Sequence, residues 1–215
     1  MSAIVVTGTD TGVGKTVVAA MLTLALDAVY WKPVQSGIAE GTDAATVAAL
    51  TDLGPEHFIL ERYLLKQPLS PHRAAELDGI EIDPHALSLP AAAPRGRLLI
   101  VEGAGGVMVP LTRRTLFIDV FQRWRAPVVV CARTALGTIN HTLLTIEALR
   151  RRHIPILGVV FVGEPVPDSE RTICELGQVK RLGLLPPLPV LTAGALADAF
   201  ASHFDREDFD ALVRR

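Results

Sequence analysis

The sequence begins with a loop suited to binding phosphate. Residues 8–16 have the sequence GTDTGVGKT, directly after an apolar run at residues 3–7 and at the start of a helix-like pattern over residues 15–27. Successive backbone N–H groups in such a loop form an anion-binding nest, and the start of the helix adds its positive dipole end. Gly12 and Gly14 let the backbone approach a phosphate group because neither residue carries a Cβ atom.

Two side chains at the end of this loop supply a positive charge and a metal ligand. We expect the Lys15 ammonium to reach the β- and γ-phosphates of a nucleotide, and the Thr16 hydroxyl to bind Mg²⁺. The loop departs from the strict phosphate-loop pattern, because Gly8 lies one residue before the expected position. The alternative interpretation is a tight strand-to-helix turn that carries an ordinary exposed lysine.

Two carboxylates are candidates for a second anchor of the metal ion. Glu102 follows the aliphatic run at residues 98–101 and precedes the glycine-rich residues 103–106. A carboxylate at the end of a neighbouring strand is the usual partner of a phosphate loop. Asp43 opens a helical pattern and is a candidate third oxygen ligand. The alternatives are that Glu102 caps a turn and that Asp43 only stabilises a helix N-terminus.

A second lysine follows the second apolar run of the chain. Residues 32–37 have the sequence KPVQSG, directly after residues 28–31. Pro33 keeps Lys32 out of helical geometry, so we expect its side chain to project from the strand end into the same crevice as the phosphate loop. A cation there can stabilise a phosphoryl group in transfer or an anionic nucleophile. The alternative is a solvated surface lysine.

These residues need a scaffold that brings strand ends together, and the remaining sequence predicts one. The predicted strands cover residues 3–7, 28–31, 98–101, 128–131 and 156–162, and the predicted helices cover residues 15–27, 42–53, 138–152 and 168–181. Strands that are apolar almost throughout and alternate with helices indicate a parallel sheet covered on both faces. We therefore predict one α/β domain over residues 1–215, a mostly parallel sheet flanked by helices on both faces. It resembles the P-loop NTPases with a deviant Walker A loop. Residues 54–97 are predicted to form short helices and loops over the sheet edge.

Composition excludes several classes of protein. The chain has 215 residues, a formal net charge of −2 and 49% apolar residues, so neither disorder nor a strong pull toward nucleic acids is expected. Two cysteines, Cys131 and Cys174, are too few for a disulfide framework. No signal peptide or membrane span is recognisable. We expect a soluble cytoplasmic protein with small-molecule partners, and no nucleic-acid or membrane partner.

Taken together, the motifs resemble the dethiobiotin synthetase family. The resemblance rests on residues 8–16, 32–37 and 101–106, with weaker agreement at residues 70–72 (SPH) and 136–142 (LGTINHT), and it covers about residues 1–163. It implies an ATP-dependent ligase that forms the ureido ring of dethiobiotin from 7,8-diaminononanoate and CO₂. The reaction passes through a carbamate and a carbamic–phosphoric anhydride, and it requires Mg²⁺.

The resemblance also assigns roles to individual residues. Lys32, assisted by Lys15, would be catalytic, and Thr16, Asp43 and Glu102 would bind the metal. The implied ATP-binding residues are Gly12, Val13, Gly14, Lys15, Thr16, Val17, Asp43, Glu102, Gly103, Ala104, Gly105, Pro189, Val190 and Leu191. The implied substrate-binding residues are Thr11, Ser36, Gly137, Ile139 and Asn140. The last three would come from the partner subunit of a homodimer, with the alternative that Asn140 and His141 only cap a helix.

One difference from the family pattern and two competing families leave alternatives open at the level of the sequence. Some relatives carry an asparagine that reads adenine after the fifth strand, where this chain has Phe161, Val162 and Gly163, so another nucleoside triphosphate stays an alternative to ATP. A deviant-loop ATPase of the partitioning or septum-positioning kind, switching with a protein, DNA or membrane partner, is the main competing hypothesis. Those ATPases carry an extra lysine early in the loop, and the acidic residues within positions 200–215 would repel anionic surfaces. A ligase of cobalamin synthesis would need a further glutaminase domain.

Overall fold

The computed structural model describes residues 2–90 and 96–209. Met1, residues 91–95 and residues 210–215 lie outside this part, and with them a piece of the 54–97 segment and the end of the C-terminal segment. The strands of the described part are β1 (Ala3–Gly8), β2 (Val29–Trp31), β3 (Val34–Ser36), β4 (Phe58–Ile59), β5 (Tyr63–Leu65), β6 (Leu99–Gly106), β7 (Val128–Arg133), β8 (Ile156–Val162) and β9 (Arg181–Leu185). Its α-helices are α1 (Lys15–Ala25), α2 (Asp43–Thr51), α3 (Pro71–Asp78), α4 (Phe117–Trp124), α5 (Thr138–Arg151), α6 (Pro167–Gly177) and α7 (Ala193–His203).

The strands form a parallel sheet, which confirms the predicted fold class. Seven strands hydrogen-bond in the order β4-β2-β6-β1-β7-β8-β9, and every pairing among them is parallel. A second, two-stranded parallel sheet pairs β3 with β5. Because β1, β2 and β6 are neighbours and run in one direction, the residues that follow them meet at one edge of the sheet.

Both faces of the sheet are buried, as the unbroken apolar runs predict. Successive residues of β1 point to opposite faces, so Ile4 and Val6 join the core under α1 and α7, while Ala3 and Val5 join the core under α4 and α5. The two cores together enclose the sheet between layers of helices. None of the helices in the described ranges is long and apolar enough to cross a membrane.

Several predicted boundaries are wrong. The strand predicted at residues 98–101 continues to Gly106, so Glu102 lies within β6 rather than at its end. The helix predicted to reach residue 181 ends at Gly177, because Gln178 adopts a left-handed conformation (φ 44°) and Arg181 already starts β9. Residues 54–97 hold more than helices and loops, since β4 forms an edge of the main sheet and β5 pairs with β3.

Candidate active site

The phosphate loop has the backbone geometry that its glycines predict. Gly12 and Gly14 both have positive φ angles, 70° and 92°. A Cβ atom on Gly14 would lie 2.9 Å from Val162 Cγ1, whereas a Cβ atom on Gly12 would meet open space. Gly14 therefore needs to be glycine for both conformation and space, and it leads directly into α1 at Lys15.

Lys15 is held inside the loop. Its Nζ donates to the carbonyl oxygen of Asp10 at 2.9 Å, and the residue is buried. Burial lowers the pKa of the Lys15 ammonium, and the nearby Glu102 carboxylate opposes that shift. The Asp10 carboxylate accepts from the Thr11 amide (2.7 Å) and pairs with Arg133 (3.0 Å). The interpretation of an ordinary exposed lysine is therefore wrong.

Glu102 joins three elements through its two carboxylate oxygens. Oε1 accepts from Thr16 Oγ1 at 2.9 Å and from Lys32 Nζ at 3.0 Å, and Oε2 accepts from the Tyr30 hydroxyl at 2.8 Å. The residue is 1% exposed and lies within β6, so it caps no turn. Burial raises the pKa of the Tyr30 phenol well above its ordinary value, and the charge of Glu102 adds to the effect. Tyr30 thus stays protonated and acts as a donor to this carboxylate.

Lys32 lies between the two carboxylates. Its ammonium donates to Glu102 and also to Asp43 Oδ2, and the side chain is 6% exposed, which rules out a solvated lysine. Burial by itself would lower the pKa of Lys32, but the charges of Glu102 and Asp43 outweigh it and the net shift is upward. Lys32 is therefore a cation over the whole physiological pH range.

Asp43 both starts a helix and contacts the buried lysine. It is the first residue of α2, whose cap is Thr42, with the Thr42 side chain accepting from the Ala45 amide at 3.1 Å. The backbone amide of Asp43 donates to Gln35 Oε1 at 3.1 Å, which ties the helix start to the segment after Lys32. Asp43 therefore starts a helix and also contacts Lys32, so the two interpretations do not exclude each other.

These groups border one cavity of about 790 Å³. Most predicted site residues line it, namely Thr11, Gly12, Gly14, Lys15, Thr16, Val17, Lys32, Ser36, Asp43, Glu102, Ala104 and Gly105. Further lining residues are Gln35, Pro68, Leu69, Ser70, Pro71 and Val109. Ser36 Oγ is buried at the wall without a hydrogen-bond partner in the described part of the chain, so it is available to a ligand.

Other predicted residues lie away from this cavity. The Val13 side chain packs in the core, and a Cβ atom on Gly103 would lie 3.0 Å from Phe121 Cζ, so neither lines the cavity. The remaining predicted residues lie around the start of α5 or in the loop after β9, on the same chain but outside the cavity: Gly137, Ile139, Asn140, Pro189, Val190 and Leu191. Their proposed contacts with ligands stay predictions.

The donor set of the cavity fits Mg²⁺. Thr16 Oγ1 and Glu102 Oε1 are 2.9 Å apart, and Glu102 and Asp43 contact the same ammonium group. These are hard oxygen donors, and Mg²⁺ usually binds one or two carboxylates together with substrate phosphates. Over residues 2–90 and 96–209 there is no group of three or more His, Cys, Asp and Glu side chains that could hold a metal ion, so an ion bound here would also need ligands from the substrate.

Tyr30 and Gln35, which hydrogen-bond to Glu102 and to the Asp43 amide, were not among the predicted site residues. Tyr30 lies two positions before Lys32 on an extended strand, so the period of two places both side chains on the same face. That alternation was the available signal. Gln35 carries no comparable signal, because its contact with the Asp43 amide depends on how α2 packs.

The chain is similar in sequence to known proteins over nearly its whole length. The AAA domain family matches residues 2–195 of the chain. An ATP-dependent dethiobiotin synthetase of Rhodopseudomonas palustris strain TIE-1 is 60% identical over 206 residues, 96% of each chain. Another from Novosphingobium aromaticivorans is 58% identical over 209 residues, 97% of this chain and 100% of that protein.

Solved structures with a similar fold come from cell-division and partition ATPases. The cell division ATPase MinD of Pyrococcus furiosus has a TM-score of 0.57 at 13% identity, covering 99% of this chain and 100% of that one. A ParA family ATPase from Chlorobium tepidum has a TM-score of 0.51 at 12% identity, covering 98% and 92%. At this identity the likeness concerns the fold alone, so it gives no support to a switch function.

Proposed function

The chain belongs to the ATP-dependent dethiobiotin synthetase family, and on that premise we propose that its reaction takes place in the cavity beyond β1, β2 and β6. The enzyme is an ATP-dependent ligase of biotin biosynthesis. Its substrates are 7,8-diaminononanoate, CO₂ and ATP, and its products are dethiobiotin, ADP and phosphate. The observation that carries the placement is the buried Lys32, whose ammonium contacts Glu102 beside Thr16 of the phosphate loop.

The chemistry requires cations rather than a protein nucleophile. One amine of the substrate takes up CO₂ as a carbamate, and a carbamate oxygen then attacks the γ-phosphorus of ATP while ADP leaves. The second amine attacks the carbonyl carbon of the resulting anhydride, closes the ring and expels phosphate. Each of these species is anionic, so positive groups fixed in place before the reaction would stabilise it most.

We assign the two lysines to different anionic groups of the reactants. Lys15, at the start of α1, is suited to the β- and γ-phosphates, and it would exchange the Asp10 carbonyl for a phosphate oxygen. Lys32 is suited to the carbamate and the phosphoryl group in transfer. Since both ammonium groups are buried and border one cavity, their field acts with little screening by water.

We assign Mg²⁺ binding to Thr16, Asp43 and Glu102. When bound, the ion neutralises phosphate charge and polarises the γ-phosphoryl group. Glu102 and Asp43 both contact the Lys32 ammonium, which keeps this cation next to the proposed metal ligands.

We further propose that the active unit is a homodimer and that a partner subunit completes the substrate site. Gly137, Ile139 and Asn140 lie at the N-terminal end of α5, which suits the carboxylate tail of the diamine. They lie outside the cavity of their own chain. Nearby, Leu136 is fully exposed and Met108 and Leu144 are more than half exposed, an apolar surface suited to a second copy. Thr11 and Ser36 border the cavity where the diamine end would lie.

The exposed loop after β9 is the proposed site of the nucleotide base. Pro189, Val190 and Leu191 are exposed after β9, and we assign them contacts with the adenine. Val162 packs against Gly14 instead of offering a polar group to the base, so a second nucleoside triphosphate can serve beside ATP. Both cysteines are free thiols, in keeping with a cytoplasmic enzyme.

The function is tested by turnover of 7,8-diaminononanoate, bicarbonate and ATP. We expect dethiobiotin and phosphate in equal amounts, and no phosphate release when the diamine is left out. ATP hydrolysis that depends on DNA, lipid or a protein and not on the diamine would contradict the proposal. The same assay with GTP, CTP and UTP measures the nucleotide preference.

The shared site is tested by mixing two impaired variants, Lys32→Ala and Asn140→Ala. If each site combines Lys32 of one subunit with Asn140 of the other, a mixed dimer contains one intact site. Subunit exchange in an equal mixture should then restore about one quarter of the wild-type activity. If both residues act within one chain, mixing restores nothing.

A further inference from the structure

We propose that Tyr30 is a positioning residue for Glu102, and that its hydroxyl holds this carboxylate with Oε1 toward the ligand. The inference rests on the proposed role of Glu102 as a metal ligand. Tyr30 lies beneath the cavity rather than at its wall, so it would act through Glu102 and touch no substrate.

The register of the sheet explains why this contact forms. Tyr30 in β2 lies opposite Ile100 in β6, and Glu102 is two residues further along the same face of β6. Two residues of a strand span about 6.6 Å, which a tyrosine side chain can bridge when it leans along the strand direction. Its hydroxyl thereby reaches Glu102 Oε2 at 2.8 Å. A shorter side chain at position 30 could not make this contact.

The two carboxylate oxygens of Glu102 have different hydrogen-bond partners. Oε1 receives Thr16 and Lys32, the two groups that border the cavity. Oε2 faces the interior, where its only donor in the described part of the chain is the Tyr30 hydroxyl. Without that donor the carboxylate could rotate to share Lys32 and Thr16 between both oxygens, and Oε1 would lose its fixed direction.

Tyrosine suits this task because its donor is neutral. A hydrogen bond to a carboxylate is charge-assisted and stronger than one between neutral groups, yet the phenol leaves the negative charge on Glu102. A second cation at this point would cancel the charge that attracts a metal ion. The ring has a separate structural role, since it is fully buried and lies edge-on to Phe58, with centroids 6.2 Å apart.

The experiment compares Tyr30→Phe with a matched control. The sequence contains two tyrosines, and the other is Tyr63, whose hydroxyl accepts from the Asp83 amide at 3.0 Å. Tyr63→Phe therefore removes the same atom from a site that does not border the cavity. For wild type and both variants, ADP affinity is measured by calorimetry, first with EDTA and then with saturating Mg²⁺.

The ratio of the ADP affinities with Mg²⁺ and with EDTA separates the contribution of the metal from that of the phosphate loop. We expect Tyr30→Phe to reduce the enhancement of ADP binding by Mg²⁺ by about tenfold, equivalent to about 1.4 kcal/mol. Its affinity in EDTA should stay within about twofold of wild type, because the nest does not include Tyr30. Tyr63→Phe should leave both affinities unchanged. An equal enhancement in Tyr30→Phe and wild type would overturn the inference while leaving the metal site in place. If Mg²⁺ does not enhance ADP binding even in wild type, the assignment of the metal ligands is wrong, and the inference about Tyr30 is then wrong too.

A second measurement leaves Tyr30 in place. Incorporation of 3-fluorotyrosine gives two ¹⁹F resonances, which Tyr63→Phe assigns. Adding Mg²⁺ to the ADP complex should shift the Tyr30 resonance and not that of Tyr63, since the metal draws charge from the carboxylate to which Tyr30 donates. A Tyr30 resonance that does not respond to Mg²⁺ would contradict the inference even if Tyr30→Phe failed to fold.

Discussion

Replacing Lys32 with methionine removes one charge from the centre of the site and keeps most of the aliphatic stem. Lys32 Nζ lies 3.0 Å from Glu102 Oε1, and the two side chains are 6% and 1% exposed. At an effective dielectric constant of about 20, two unit charges at this distance attract each other by roughly 5–6 kcal/mol. Removing one partner of a buried pair leaves the other uncompensated, so we expect the free energy of unfolding to fall by about 3–5 kcal/mol. Urea unfolding followed by circular dichroism measures the loss.

The same substitution should separate catalysis from nucleotide binding. Lys15 and the phosphate nest remain in place, so the affinity for ADP should stay within about threefold of wild type. Dethiobiotin formation should fall by about 100-fold or more, since one fixed donor to developing charge typically contributes that much. Both quantities are measured well below the unfolding temperature of the variant, so that lower stability does not count as lower activity.

Lys66→Met is the matched control, because Lys66 is exposed and does not line the cavity. It should change neither stability nor turnover. The pKa of Lys32 is raised in the folded state, so its contribution is complete below the ordinary lysine value of about 10.4 and is lost only above it. The stability difference between wild type and Lys32→Met should therefore be the same at pH 7 and pH 9. A loss below about 1 kcal/mol, or undiminished turnover, would refute the reasoning.

Two further predictions concern the phosphate loop and the thiols. Gly14→Ala should lower the free energy of unfolding by about 1–3 kcal/mol because of its backbone conformation, with a further loss from the clash with Val162. Gly12→Ala meets no clash and should lower it by only about 1–2 kcal/mol. Urea unfolding of both variants tests this order. Burial raises the pKa of Cys131 to about 12 and also raises that of Cys174. Because Cys131 is buried and Cys174 only partly so, a thiol reagent at pH 8 should modify Cys174 slowly and Cys131 only after denaturation. Modification of both thiols in the native protein would contradict the burial of Cys131.

The central strands and the phosphate loop were predictable because each has a strong local signal. The runs that became β1, β7 and β8 are apolar almost throughout, and only a strand buried on both faces needs that pattern. Gly14 and Lys15 identified the loop because few other uses of those residues at a strand-to-helix junction exist. Chemistry of this kind is encoded within a few consecutive residues.

The strands that were missed depend on partners distant in sequence. The strands β3, β4 and β5 have only two or three residues each, too few to show any periodicity. The strand β9 was hidden behind a helix whose end depends on the left-handed conformation of Gln178, a residue with little sequence signal for it. The bond from Tyr30 to Glu102 spans 72 residues of chain, and it exists only because β2 and β6 are neighbours in a particular register.

The charged groups of the site, of which Lys15, Lys32 and Glu102 are buried and Asp43 is partly buried, are the part that stability alone does not explain. Lys15, Lys32, Asp43 and Glu102 come from four separate segments and sum to zero, in a chain whose formal net charge is only −2. Apolar side chains of similar size would often stabilise such a position as well or better, because burying ions costs more than their pairing returns. What they could not do is hold a lysine cation and two carboxylates in place before an anionic substrate arrives. The low charge of the chain and the density of charge in its cavity are therefore compatible, because the ligands are small and are bound by fields that act over a few ångströms.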